Sequence, residues 1–164
     1  MTGLYIAVVG GGGHVSAVHR RSAEQVGRAV AESGAVLVCG GLGGIMEAAC
    51  RGARAGGGLT VGILPGRDRD EANPHVDIAI PTGMGEARNA LVVRCADAVV
   101  AVAGEYGTLS EIALALQAGI PVVGLDTWEL GRAGEPVDAV VRAEDPARAV
   151  ELALELARAA RPAP

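Results

Sequence analysis

Residues 97–124 read DAVVAVAGEYGTLSEIALALQAGIPVVG, and their reading decides the fold. The apolar run ending near Ala103 predicts a short strand. Gly104 to Gly107 form a glycine-bracketed turn, and Thr108 to about Ala118 a helix that stops at Gly119 before another strand. This is one βαβ unit. Its turn brings Gly104, Glu105, Tyr106, Gly107, Thr108 and the unpaired N–H groups of a helix start to the carboxyl end of the sheet, where parallel α/β proteins place ligands. Two roles are open to Glu111. With Thr108 as N-cap, Glu111 three residues on closes a capping box; alternatively its carboxyl serves a ligand.

The same strand, turn and helix order recurs on both sides of this unit. Leu4 to Val9 is a first strand, followed by Gly10 to Gly13, where Gly11 and Gly12 bring main-chain amides close to a ligand. Ser16 caps a helix running to about Ser33, with Val18, Val26, Ala29 and Val30 inward, and Gly34 ends it. Ala35 to Cys39 is a second strand that feeds Gly40, Gly41, Gly43 and Gly44 and a helix holding Ile45, Met46, Ala49 and Cys50. Leu59 to Leu64 is a third strand, Gly66 to His75 a polar rim, and Asp77 to Ile80 a fourth strand. From Glu86 a helix carries Arg88 at its beginning and Ala90, Val93 and Ala96 on its apolar stripe. Past Gly124, the loop from Leu125 to Pro136 holds the sole tryptophan, Trp128, placed over a pocket, at a subunit contact or against the sheet edge. Val137 to Val141 is a last short strand or an extended return. Asp145–Pro146 opens a closing helix with Val150, Leu152, Leu154 and Leu156, and Arg161 to Pro164 fray.

A chain of 164 residues with this grammar fits one domain, over residues 1–160. The expected architecture is a Rossmann-like three-layer α/β fold, a mostly parallel sheet with helices on both faces. Net charge −5 and the absence of phenylalanine argue against a nucleic-acid or anionic-membrane surface. Cys39, Cys50 and Cys95 lack metal or redox spacing and read as buried fillers, reduced in the cytoplasm. The apolar runs are broken by Gly and Pro well short of a membrane span, and the opening lacks the basic region of a signal peptide.

Three glycine-bearing turns at strand ends favour one amide-rich site for phosphate, although each turn alone serves equally for tight connection. No acidic residue after a second strand anchors an adenosine ribose, and no GKS or GKT supplies a P-loop lysine. Arg88 offers a bidentate contact to phosphate, and Glu111 can hold ribose hydroxyls or assist cleavage at an anomeric carbon. His14, His19 and His75 are not spaced to bind a metal, and Ser110 lacks the GxSxG elbow of a serine hydrolase.

The segments ARN and AGEYGTLSE resemble the superfamily that includes LONELY GUY phosphoribohydrolases, proteins labelled possible lysine decarboxylases, and molybdenum-cofactor carriers. GGGG at Gly10 to Gly13, CGGLGGIMEAA at Cys39 to Ala49, GILP at Gly62 to Pro65 and TGMGEARN at Thr82 to Asn89 extend the resemblance over most of the chain. The likeness is greatest to the small bacterial branch carrying TGMGEARN and GTLSE. It implies a nucleotide or phosphorylated pterin as ligand, with no required cofactor, and a homodimer or higher homo-oligomer. If the chain is an enzyme, the resemblance implies hydrolysis of a nucleoside 5'-monophosphate to base and ribose 5-phosphate, not lysine decarboxylation. Its glycine motif PGGxGTxxE aligns from Ala103 to Glu111, so the resemblance assigns Glu111 and Arg88 to catalysis, and Met84, Asn89 and the glycine turns to the ligand. Two positions depart from the pattern: Asn89 replaces a lysine, and Glu105 replaces a glycine.

Overall fold

The computed structural model describes residues 3–161. In chain order the main elements are β1 (Tyr5–Gly10), α1 (Ala17–Glu32), β2 (Val36–Cys39), α2 (Ile45–Ala55), β3 (Thr60–Leu64), β4 (Ile78–Pro81), α3 (Asn89–Arg94) and β5 (Ala98–Val102). They continue with α4 (Tyr106–Gln117), β6 (Val122–Leu125), β7 (Leu130–Arg132), β8 (Glu135–Val137), β9 (Val140–Arg142) and α5 (Pro146–Ala160). Seven strands form one sheet in the order β4-β3-β2-β1-β5-β6-β9. Every neighbouring pair in it is parallel. This is the Rossmann-like three-layer architecture.

Alternation along the strands divides the core in two. Ile6 and Val8 of β1 face a cluster built with α1, α2 and α5, whereas Ala7 and Val9 face a cluster built with α3 and α4. Both faces of the central strands are therefore dry, which is why β5 reads as an unbroken apolar run. With no phenylalanine, close backbone approach replaces large side chains. A Cβ on Gly27 of α1 would lie 1.9 Å from the Ala49 carbonyl oxygen, and one on Gly52 of α2 would lie 1.9 Å from that of Glu24. The two helices touch main chain to main chain.

Several sequence expectations shift. Val18 is 69% exposed rather than inward. The segment from Glu86 opens as a 3₁₀ turn over Gly85–Arg88, and α3 follows with Val92 and Val93 as its buried residues. Cys95 is exposed, whereas Cys39 and Cys50 are buried with their Sγ atoms 3.4 Å apart. The segment around Trp128 contains the antiparallel β7–β8 hairpin, turned by Ala133 and Gly134 at positive φ. Arg161 is held rather than frayed: its guanidinium donates to both Asp97 carboxylate oxygens, at 3.0 and 2.9 Å. The remainder of that terminal expectation, residues 162–164, lies outside the described residues. No helix among the described residues is long and apolar enough to cross a membrane.

Candidate functional site

Strand order reverses between β1 and β5, so the connections leaving these two strands diverge and open a crevice at their carboxyl ends. A cleft of about 1190 Å³ fills it. Its walls are Gly10–Ser16 after β1, Gly40 and Leu42 after β2, Glu86–Ala90 around the start of α3, and Ala103–Thr108 with Glu111 on α4. Gly11, Gly12, Arg88, Asn89, Gly104, Glu105, Tyr106, Gly107, Thr108 and Glu111 are thus brought together. Gly41, Gly43, Gly44 and Met84 are not part of that wall.

Gly41 and Gly44 after β2 act one layer back. Gly44 sits at φ +65°, and a Cβ there would lie 2.2 Å from the Gly11 carbonyl oxygen. That oxygen accepts from the Ile45 N–H at 2.9 Å. The first amide of α2 is therefore spent on fastening the second turn to the first, and is not offered to a ligand. Gly41 serves the rim: its carbonyl accepts from the Asn73 N–H at 2.8 Å. Met84 is half exposed beside the 3₁₀ turn.

The expected capping box at Thr108 is replaced by a different start. Helix α4 begins at Tyr106 with Glu105 as N-cap residue, and no side chain caps it. Thr108 and Glu111 are buried, at 2% and 7% exposure, because both face inward one turn apart. A tertiary bond fixes the entry, the Thr127 hydroxyl donating to the Ala103 carbonyl at 2.5 Å. The uncapped first turn leaves its N–H groups and the positive end of the helix dipole at the cleft.

Arg88 and Glu111 meet at the floor. Each is 7% exposed, and Arg88 Nη1 lies 4.0 Å from Glu111 Oε1, at the outer limit of an ion pair. The Arg88 fork is incompletely matched. Nη1 donates to Asn89 Oδ1, Nη2 makes a long 3.4 Å contact with the Gly40 carbonyl, and Nε is buried without a partner among the described residues. Asn89 in turn donates to Ser110 Oγ at 3.2 Å, and Ser110 donates to the Gly107 carbonyl at 2.7 Å. This relay ties the start of α3 to the start of α4. Burial pushes the Glu111 carboxyl up to about 7, the Arg88 charge only partly opposing it. Burial also lowers the Arg88 guanidinium from its ordinary value, with Glu111 opposing.

Gly40, and the contact of Trp128 behind the expected Tyr106, are the parts not assigned from sequence. A Cβ on Gly40 would lie 2.6 Å from Arg88 Nη2, so this glycine makes room for the guanidinium. Its signal was its place directly after a strand, within a glycine run. Trp128 packs partly against the core, and its ring centroid lies 5.8 Å from that of Tyr106. Nothing local in sequence links those two residues. His19 of α1, which also lines the cleft, contacts the Asp126 carboxylate beyond β6.

A parallel sheet with an amide-lined cleft at its switch point, floored by a buried arginine and carboxyl, defines a Rossmann-like protein of small-ligand-binding design. The chain belongs to the SLOG cluster4 family, whose model matches residues 3–152, within the LONELY GUY and molybdenum-cofactor carrier-like superfamily. It is 48% identical over 122 residues to an uncharacterized protein of Archaeoglobus fulgidus, covering 74% of this chain and 80% of that one. The molybdenum cofactor binding protein of Rippkaea orientalis superposes with a TM-score of 0.85 at 35% identity, over 95% of this chain and 98% of that one. The molybdenum cofactor carrier protein of Chlamydomonas reinhardtii gives 0.84 at 35% identity, over 94% and 98%.

Proposed function

We propose that this chain binds a small phosphorylated molecule in the cleft and carries it without turnover, a phosphorylated pterin of the molybdenum-cofactor type being the cargo that fits best. The observation that carries this reading is Arg88. It is a buried fork with spare donor capacity, set between a glycine turn and the uncapped start of α4. Burying an arginine with an unmatched donor costs free energy that an arriving phosphate oxygen repays. Likeness to two molybdenum-cofactor proteins along nearly the whole chain supports the same reading. Mass spectrometry of small molecules retained by gently purified protein tests it: a copurified phosphorylated pterin is expected. Failure of phosphorylated pterins, nucleoside monophosphates and sugar phosphates all to bind refutes it.

A second reading, hydrolysis of a nucleoside 5'-monophosphate, is favoured by the Arg88–Glu111 pair itself. A carboxyl that titrates near neutrality beside an arginine suits general acid or base work on a glycosidic bond. Arg88 would hold the phosphate end while Glu111 protonates the departing base or activates water. Chromatography of AMP and related monophosphates for free base decides between the two. No release favours the carrier, and release unchanged in Glu111→Gln rejects this mechanism.

The second face of the sheet also supports a homo-oligomer. Register places Ile78 and Ile80 of β4 beside Val61 and Ile63 of β3, on the face that carries only α3 and α4. Both isoleucines are 45% exposed at the uncovered end of that face. A second copy covering it predicts a dimer mass by light scattering; a monomer at all concentrations refutes that assembly.

A further inference from the structure

The geometry points to a ring-recognition subsite at Glu105 and Tyr106, in which Tyr106 stacks on the ligand's planar heterocycle and the Glu105 carboxylate accepts two N–H groups from a 2-amino-4-oxopyrimidine edge. This deepens the phosphate-binding reading and rests on it. Three aromatic residues occur in the whole chain, and one of them, Tyr106, lines this cleft with a second, Trp128, in ring contact behind it. Tyr106 is 80% exposed, so its ring adds little to folding. It is nevertheless held from behind. Trp128 lies against the core, tilts 38° to the Tyr106 ring, and donates its indole N–H to the Glu105 carbonyl at 3.1 Å. A rigidly backed, exposed aromatic at a cleft wall offers a stacking face whose ordering has already been met on folding.

Glu105 supplies the polar half. It lines the cleft and is exposed, it caps nothing, and it joins none of the ion pairs among the described residues. A carboxylate beside a phosphate would repel it, so its use in an anion site must lie toward a donor-rich part of the ligand. Ionised, it presents acceptors only. Guanine and pterin rings present an amino group beside a ring N–H, which two carboxylate oxygens match. Hypoxanthine lacks the amino group, and adenine puts an acceptor where the ring N–H should be. With phosphate at Arg88 and the ring against Tyr106, the ordered preference is GMP over IMP over AMP, and all three over ribose 5-phosphate.

The test is calorimetric titration of these four probes, with Trp128 emission as a second readout of events at the Tyr106 ring. In the unmodified chain GMP is expected to bind at least about tenfold tighter than ribose 5-phosphate. Tyr106→Ala abolishes that increment and Tyr106→Phe retains it. Glu105→Gln reduces the GMP-over-IMP ratio by about tenfold while leaving ribose 5-phosphate within about twofold. Unchanged GMP affinity in Tyr106→Ala overturns the proposal, as does Glu105→Gln tightening all four ligands alike, since the carboxylate would then face the phosphate. Ribose 5-phosphate binding with no ring increment sinks this subsite alone. Absence of binding by every probe, phosphorylated pterins included, sinks the cleft reading with it.

Discussion

Replacing Glu111 by glutamine isolates the cost of ionising one carboxyl at the floor of the cleft. Folding lifts that carboxyl from its ordinary 4.5 to about 7, chiefly through burial. The folded state therefore holds its proton more tightly than the unfolded chain. Stability contributed by the protonated form is complete below 4.5, declines as pH rises toward about 7, and is lost above it. At roughly 1.4 kcal/mol per tenfold change in proton affinity, the gap corresponds to about 3 kcal/mol. Glutamine is close in shape and carries no such penalty. At pH 5 both side chains are neutral beside Arg88 in the folded state, and Glu111→Gln should change stability by less than about 1 kcal/mol. At pH 8 the variant should be more stable than the parent by about 3 kcal/mol. Urea unfolding of both proteins from pH 5 to pH 8 reads this directly, because groups that do not interact with Glu111 cancel in the difference. A difference that stays flat over that range refutes the raised affinity, and with it the picture of a desolvated carboxyl only weakly countered by an arginine 4.0 Å away.

Gly44→Ala combines a left-handed backbone at φ +65° with a Cβ placed 2.2 Å from the Gly11 oxygen, and should cost about 2–4 kcal/mol by urea unfolding. A loss under about 0.5 kcal/mol would mean the two turns are not fastened there. Gly27→Ala gains about 1 kcal/mol of helix propensity, yet its Cβ would fall 1.9 Å from the Ala49 oxygen, so a net loss of about 2 kcal/mol is expected in the same assay. Arg88→Lys keeps a positive charge but loses the fork, and should weaken ribose 5-phosphate binding by roughly tenfold or more in calorimetry, with unchanged affinity disproving a bidentate contact. The same ligand should bind the parent protein more weakly at pH 8 than at pH 6, because Glu111 gains its charge near 7 beside Arg88, and Glu111→Gln should flatten that dependence.

The strand and helix grammar was legible because it rests on local chemistry that tertiary structure leaves intact. Ser16 accepts from the His19 N–H at 3.2 Å and Asp145 from the Arg148 N–H at 2.8 Å, the N-caps of α1 and α5 that the sequence signals. At Thr108 the identical signal failed. The pattern Thr-x-x-Glu describes a capping box and equally two residues one turn apart on the inner face of a helix. Only the position of α4 against the sheet selects the second. The β7–β8 hairpin escaped notice for another reason: its turn uses Ala133 at φ +52°, where Asn or Asp would have announced it. Met84 and Gly43 belong to the motif strings on which the family resemblance rests, and a string does not say which of its members face the cleft and which support those that do.

The two departures from the superfamily's motif make physical sense together. A lysine in the place of Asn89 would bring a second cation to the phosphate. Asn89 instead receives Arg88 on its oxygen and passes a donor to Ser110, so it trades charge for a bridge between α3 and α4. Glu105 adds a negative charge at the mouth of the same cleft, where a glycine would have left only backbone. Arg88 is the one arginine lining this cleft, set against the carboxyl groups of Glu86, Glu105 and Glu111, so the lining has no surplus of cationic side chains. Such a cleft has weak grip on a polyphosphate, whose several charges it cannot match. It suits a ligand with one phosphate at one end and hydrogen-bond donors at the other, the phosphate drawn inward to Arg88 and the donors outward to Glu105. On the proposed reading, the opposed signs would orient the ligand, and orientation is what a site that holds cargo or cleaves a glycosidic bond needs most.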